Sequence, residues 1–444
     1  MMHIAFIQPS LSGLLSSAAL QPLAFAVLAA QTPPDIKMTL WDERIESIDW
    51  DATIDLVGIS VETYTACRAY AIADRFRAKG IPVILGGFHP AFAPEEAEMH
   101  ADSLALGPAE ALWPQIIMDF QSGKLEPRYQ QHPLSEFSDV RFDRSIFHGK
   151  RYLPLLPVQY GRGCRFKCEF CSVAAFYPRV QYRPVKAVIE EIRESRTRTL
   201  FFIDDNLFSD PDAAVALFEA LIPFKVRWAC QTSLDVARHP EILDLMVASG
   251  CFCVLVGLES LNKENLVQMK KAWNLCSQYD ILLNEFSRRG LMIYATYVFG
   301  YDADTPETFA HVLQYSLQQR FFLANFNPLT PMPGTALYQR LLRQDRLLHK
   351  SWWLDPDFRY GAALFRPKNM TSEQLTAGCF WIRRQFNTHR SMIRRIQSPA
   401  NHRDLKRLST FLMANWITRQ EIYRKQGRCL TAPLYEHTNR DNLK

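Results

Sequence analysis

The sequence has no apolar run long enough to cross a bilayer, which takes about 20 consecutive apolar residues, so no membrane span is expected. A basic start is missing as well. Residues 11–30 are rich in Leu, Ala and Ser, with an Ala-x-Ala step at Ala24-Phe25-Ala26, but the chain opens Met1-Met2-His3. A secretory leader wants a positively charged n-region first, and Pro9 and Pro22 break any long apolar helix. A cytoplasmic protein is expected. Cysteine is scarce too, ten in 444 residues, which excludes a disulfide scaffold. Neither sign of charge is in excess: 51 Lys and Arg stand against 46 Asp and Glu, a net +5. Without a clustered basic stripe that balance argues against nucleic-acid binding. No short repeat or low-complexity tract stands out.

What is present suffices for two or three globular domains. Residues 1–128 alternate short apolar runs with helical stretches, predicting strands at His3–Gln8, Lys37–Trp41, Leu56–Val61, Pro82–Gly86 and Ser103–Gly107. Between the third and fourth, Ala66–Lys79 carries apolar residues at helical spacing. That rhythm predicts a Rossmann-like, doubly wound α/β domain with a parallel sheet. Ligands of such sheets bind beyond the carboxyl ends of the strands, where the turn residues are Ser60, Gly86-Gly87 and Gly107-Pro108. Residues 129–152, with Pro133, read as a linker. From 153 to 345 a second alternation predicts strands at Pro157–Gly161, Thr199–Asp204, Arg227–Thr232, Cys253–Glu259, Leu291–Phe299 and Ala324–Thr330. Helices are expected at Pro184–Ser195, Asp212–Ile222 and Ala272–Arg289. Six such units predict a partial (β/α)6 barrel, with its chemistry at the carboxyl ends of the strands. Residues 346–444 read as a helical, basic C-terminal extension, with Trp352-Trp353 near its start.

The informative stretch is Gly161-Arg162-Gly163-Cys164-Arg165-Phe166-Lys167-Cys168-Glu169-Phe170-Cys171. A C-x3-C-x2-C spacing folds a short loop around a small cluster, with three thiolates on three irons. Four cysteines normally complete a four-iron cluster, so three leave one iron open to a non-protein ligand, as a reaction centre requires. Gly161 and Gly163 permit the tight turn, and Arg162, Arg165 and Lys167 are placed to offset the cluster's negative charge. The competing reading is structural zinc, which needs four ligands and usually shows a second pair; none follows here.

Cys164, Cys168 and Cys171, with aromatic Phe170 before the last, resemble the motif of the radical S-adenosylmethionine (SAM) superfamily. The resemblance implies a 4Fe-4S cluster on these cysteines and SAM chelating the open iron. It implies reductive cleavage to a 5′-deoxyadenosyl radical, with the cofactor carrying the hard chemistry and a low-potential electron donor such as flavodoxin or ferredoxin. It also assigns SAM contacts: Asp204 and Asp205 in Phe202-Ile203-Asp204-Asp205-Asn206, Glu259 in Gly257-Leu258-Glu259-Ser260, Gly300 in Val298-Phe299-Gly300, and Phe170 against the adenine.

The N-terminal part is similar to the cobalamin-binding domain of one branch, and Pro328–Thr335 and Trp352–Tyr360 to that branch's C-terminal extension, as in hopanoid methylases. Methyl transfer to a poorly nucleophilic atom of a small metabolite is what this implies, one SAM methylating cobalt and a second supplying the radical. If cobalamin binds, Ser60, Gly86, Gly87 and Gly107 would cradle its nucleotide tail; ordinary turn geometry is the alternative. One departure is plain: residues 1–128 contain no D-x-H-x-x-G, the motif whose His ligates cobalt. Two rival readings remain. One is transfer of the 3-amino-3-carboxypropyl group of SAM, for example to trivalent arsenic, which would draw on Cys230, Cys251 and Cys253; as packed core thiols these need no function. The other is a non-catalytic iron–sulfur or zinc protein. The basic runs 383–384, 394–395 and 403–407 read as a solvated helical face or a cover for the barrel's open side.

Overall fold

The computed structural model describes residues 1–11, 15–16, 18–130, 136–138 and 140–430; Pro133 lies outside them. Two six-stranded parallel sheets organise the chain. The first contains β1 (His3–Gln8), β2 (Lys37–Asp42), β3 (Leu56–Ser60), β4 (Val83–Gly86), β5 (Ser103–Leu106) and β6 (Arg128–Gln130). Their order is β2-β1-β3-β4-β5-β6, all parallel. The inner strands are near-continuous apolar runs because helices cover both faces. The helix Ala66–Arg77 buries Ala69, Tyr70, Ile72, Ala73 and Phe76 on one side and carries Arg75 and Arg77 in its last turn, where they suit the helix dipole. β6 begins at the edge of the expected linker and pairs with β5, so that boundary falls later than its composition suggested.

The second sheet is a sequential half-barrel. It contains β7 (Leu156–Val158), β10 (Thr199–Phe202), β11 (Arg227–Thr232), β12 (Cys251–Glu259), β13 (Met292–Phe299) and β14 (Leu323–Pro328). A two-stranded ribbon, β8 (Gly161–Arg162) with β9 (Gln181–Tyr182), flanks the cysteine loop. Alternation sorts each strand: Val254, Val256 and Leu258 of β12 join the core beneath the outer helices, while Leu255 and Gly257 remain half-exposed on the concave side. Asp210 caps the helix Pro211–Leu221 by accepting from the amides of Asp212 and Ala213. The helix expected at 272–289 forms only over Tyr279–Arg288. Residues 272–278 are instead a loop with a 3-10 turn that carries Asn274 over the end of β12, onto Leu258 O at 3.2 Å.

The C-terminal extension differs from expectation in two ways. Trp352 and Trp353 pack into the core of the first sheet with Phe358 and Leu364. The basic residues are not simply a solvated face. Arg395 is fully buried, donating to the carbonyls of Phe321, Phe322 and Phe386, and Arg407 donates to Gly290 O. Phe411 of the helix Leu405–Lys425 closes the floor of the half-barrel with Phe252, Cys253, Met292 and Phe322. Among the described residues no helix is long and apolar enough to cross a membrane.

Candidate active site

The cysteine loop leaves β8 where Gly163 adopts φ +84°; a Cβ there would meet Arg179 O at 2.7 Å, so a side chain is excluded. Cys168 lies close enough to feel the charge of Cys164 and Cys171, and Cys171 that of Cys164. Asn206 Nδ2 points at Cys164 Sγ at 3.8 Å, and the amides of Val173 and Ala174 donate to the Cys171 sulfur. Burial pushes the Cys168 thiol up to about 11, with Lys271 opposing. Among the described residues no three His, Cys, Asp or Glu side chains stand close enough to hold one metal ion, a spacing that a cluster with its thiolates on three separate irons does not require. Three neighbouring thiols, two of them with N–H donors, match the donor set of an iron–sulfur cluster, whose sulfurs take such hydrogen bonds.

The acidic strand ends divide their roles. Asp204, only 2 % exposed, turns back onto the backbone, accepting from Tyr160 N at 3.1 Å and from Gly161 N. Burial raises it to about 7, those amides opposing. It therefore shapes the cysteine loop rather than facing a ligand, contrary to the expected SAM contact. Asp205 takes Gly163 N at 2.9 Å, and burial raises it as well. Glu259 ends β12 at a bulge with φ +66°, an uncommon backbone for a non-glycine residue. Its carboxylate pairs with Lys271 Nζ at 2.8 Å, both side chains nearly buried. Lys271 also donates to Gly257 O at 2.8 Å. Gly300 donates its amide to Asp304 at 2.8 Å, and its Cβ side is filled by Leu375 and Phe365. Phe170 is half-buried against the barrel core.

Sequence reasoning missed several neighbours. Lys271 sits just before the segment read as helix, and no motif marked it. Phe166 stacks on Trp273 at 3.8 Å between near-parallel rings, and the Trp273 indole nitrogen is buried with no hydrogen-bond partner among the described residues. Asn206 was within the quoted stretch, but only the folded loop aims it at Cys164. Two of the three cations expected to offset the cluster are engaged elsewhere, Arg162 with Glu110 and Arg165 with Asp235, and Lys167 is exposed. Lys271 is the cation felt at Cys168. Burial pushes the Cys230 and Cys253 thiols well above their ordinary value, and both side chains are packed in apolar clusters.

Between the sheets lies a cavity of about 390 Å3, a size usual for small-molecule sites. It opens at the β1/β3 switch point, where strand order reverses and doubly wound sheets bind ligands. Ser60, Gly86, Gly87 and Gly107 all line it. So do Gln159, Arg162, Phe176, Tyr177 and Ile203 from the barrel side. Gly87 has φ +103°, and a Cβ there would strike Val61 O at 2.8 Å. Among the described residues no histidine lines the cavity; His89 is fully buried and bonded to Thr63 and Glu96. Phe88 stacks on Phe176 at 4.2 Å, joining the glycine turn of the first sheet to the segment after Cys171. A ligand seated on the first sheet would thus face the segments that flank the cysteine loop, and the glycine turns leave room for a bulky cofactor.

The pattern of the radical SAM superfamily matches residues 158–311. The chain is 29 % identical over 401 residues to the bacteriochlorophyllide d C-12(1)-methyltransferase of Chlorobaculum tepidum, covering 87 % of each chain. It is 30 % identical over 352 residues to the C-8(2)-methyltransferase of the same organism, covering 74 % of this chain and 78 % of the relative. The radical S-adenosylmethionine methyltransferase TsrM from Kitasatospora setae, solved with cobalamin and a [4Fe-4S] cluster, shares the fold. The TM-score is 0.63 at 16 % identity, over 78 % of this chain and 75 % of that one.

Proposed function

The chain belongs to the radical SAM superfamily, whose cofactors are a 4Fe-4S cluster and SAM, and from that premise we propose that it is a cobalamin-dependent methyltransferase acting on a poorly nucleophilic carbon of a ring-bearing metabolite. The observation that carries this reading is the shared cavity: the switch-point turns of one sheet and the cysteine-loop side of the other line a single space. The two Chlorobaculum relatives, by their names, methylate bacteriochlorophyllide d, which favours a ring system as acceptor.

Cys164, Cys168 and Cys171 hold the cluster in this reading. When bound, the cluster, SAM and cobalamin supply the radical and the transferable methyl group. The chain's own residues orient and enclose. Asp204 and Asp205 fix the backbone on which the thiolates sit. Lys271 holds Glu259 at the mouth of β12, where its carboxylate can accept from SAM. The Phe166–Trp273 stack offers an aromatic face and an unused indole N–H beside the same mouth. Phe88, Phe92, Phe176 and Tyr177 close the seam between the sheets, excluding the water that would quench a radical. An electron donor of low potential completes the cycle.

The test follows SAM in an anaerobic preparation with reconstituted cluster, a low-potential reductant and hydroxocobalamin, and identifies the nucleosides by mass spectrometry. Formation of 5′-deoxyadenosine together with S-adenosylhomocysteine, the latter dependent on cobalamin, is expected. Predominance of 5′-methylthioadenosine would mean cleavage toward the carboxypropyl group and the end of the methyl-transfer reading.

A further inference from the structure

The helix Leu405–Lys425 is apolar on two sides. One face closes the floor of the half-barrel through Phe411, with Arg407 and Asn415 buried beside it. The outward face carries Leu405, Leu412, Trp416 and Tyr423, all exposed, Leu405 at 83 % and Trp416 at 56 %. Their spacings of seven, four and seven residues are close to whole helical turns, so the four lie on one line. At 1.5 Å per residue that line is about 27 Å long. Met413 widens it, and Trp381 and Ile393 stand exposed on the neighbouring helices Ser372–Phe386 and His389–Ile396. The other exposed large apolar side chains among the described residues are scattered between Met1 and Leu348. Scattered ones need no explanation, whereas a contiguous patch marks an interaction surface.

The charge around this patch is one-sided. Residues 380–420 hold nine Arg and Lys against Asp404 alone. That is a net +8 in a chain of net +5, so the rest of the molecule is net negative. Arg395 and Arg407 are spent on buried carbonyls, but Arg384, Arg390, Arg394, Arg403 and Lys406 are exposed. Arg403 and Lys406 flank Leu405 in the chain, and the Arg384 guanidinium lies 5.8 Å from the Tyr423 ring at the other end of the line. Arg390 and Arg394 bracket the exposed Ile393.

An apolar line with a cationic rim, on a helix that lies flat on the protein, complements a surface that is acyl within and anionic at its edge. An acidic electron carrier would match the charge but not the position. The helix packs at the start of β12, and the nine residues Cys251–Glu259 carry that strand to the Lys271 end beside the cysteine loop. At about 3.3 Å per residue the two ends are roughly 25 Å apart, and electron tunnelling falls off exponentially with distance. Residues 431–444 offer no net charge to match the rim, since Glu436 and Asp441 are balanced by Arg440 and Lys444.

We propose that this face rests on an anionic lipid bilayer, with the helix Leu405–Lys425 lying in the plane of the headgroups and Leu405, Leu412, Trp416 and Tyr423 entering the acyl boundary. The assignment is independent of the methyltransferase reading. It anchors the floor of the half-barrel to lipid and turns its mouth away from it.

The test is flotation of the full-length protein with vesicles of phosphatidylcholine alone and of equal parts phosphatidylcholine and phosphatidylglycerol. The native protein should bind the anionic vesicles at least about ten-fold more tightly, and added salt should shrink the difference. Leu412→Ser combined with Trp416→Ser should weaken binding to the anionic vesicles by about ten-fold or more. Arg394→Gln combined with Lys406→Gln should do the same by removing charge. All four side chains are exposed, so the melting temperature should not fall in either double variant. Equal affinity for the two vesicle types, no binding to the anionic ones, or native affinity in either double variant would overturn the assignment. So would a native dimer, seen by light scattering, that Leu412→Ser with Trp416→Ser converts to monomer, because the line would then be an interface between two copies.

Discussion

Trp353 donates its indole N–H to Glu96 at 2.8 Å, joining positions 257 residues apart in the chain. The same carboxylate accepts from Tyr70 at 2.9 Å and lies 3.1 Å from His89 Nε2. Burial works against the charge, but the hydrogen bonds from His89, Trp353 and Tyr70 outweigh it and hold Glu96 below its ordinary value. Glu96→Gln should cost about 1–3 kcal/mol at pH 7, because it weakens three hydrogen bonds at once. Trp353→Phe should cost less, about 1 kcal/mol of hydrogen bond. Urea unfolding curves measure both, and equal midpoints for native protein and Glu96→Gln would disprove the clasp.

Asp302 binds Arg346 and Lys368 and thereby ties the loop after β13 to the C-terminal segment. Burial raises its pKa, yet the bonds from Lys368, Arg346 and Gln268 prevail and bring it down to about 2. A depressed folded value means stabilisation that is present above the unfolded value, near 3.8, and lost as pH falls from there toward 2. Asp302→Asn should therefore cost at most about 2 kcal/mol at neutral pH and progressively less in acid. A cost independent of pH would contradict the ion-pair account.

Iron loading separates the two sets of cysteines. Alanine at Cys164, Cys168 or Cys171 should reduce reconstituted iron from about four per chain to near background and remove the charge-transfer absorption. Cys230→Ala and Cys253→Ala should keep full iron at some expense in stability, since both thiols are packed. Iron loss in the second set would relocate the cluster.

Arg395 offers a test of a buried cation without a carboxylate. Burial lowers its pKa to about 9, and Arg395→Leu would remove its donors from Phe321 O and the Asn415 amide oxygen, while Phe386 O keeps Ser391 and Phe322 O keeps the Asn415 amide. A loss of roughly 3 kcal/mol or more in denaturant unfolding is expected, with Arg395→Lys recovering part of it. A neutral Arg395→Leu would show that these carbonyls are satisfied by water.

Gly87→Ala should weaken hydroxocobalamin binding by at least about ten-fold, because the new methyl group would collide with Val61 O and displace the turn. Absorbance titration reads the affinity, and iron loading serves as the control for folding. Unchanged affinity would remove the glycine turn from the cofactor site.

Much of this architecture was legible before any coordinates. The periodic apolar runs located all twelve sheet strands except β6, whose Arg-Tyr-Gln composition carries one buried residue and no alternation long enough to register. The C-x3-C-x2-C spacing picked out the loop because three thiols in eight residues have few other uses. Strand order also followed from the sequence in kind: strands alternating with helices leave little choice but parallel sheets. What sequence could not decide was the partner of each polar side chain, because hydrogen bonds and ion pairs depend on approach between distant segments. Asp204 looked like a ligand contact and proved to be a backbone brace. Arg162 looked like a counter-charge to the cluster and proved to be paired with Glu110. Lys271, silent in the sequence, is the cation beside Cys168 because the loop after β12 folds back over the strand end. The division is physical. Backbone periodicity is local and written in neighbouring residues, whereas charge pairing is settled only when packing brings remote groups within a few ångströms.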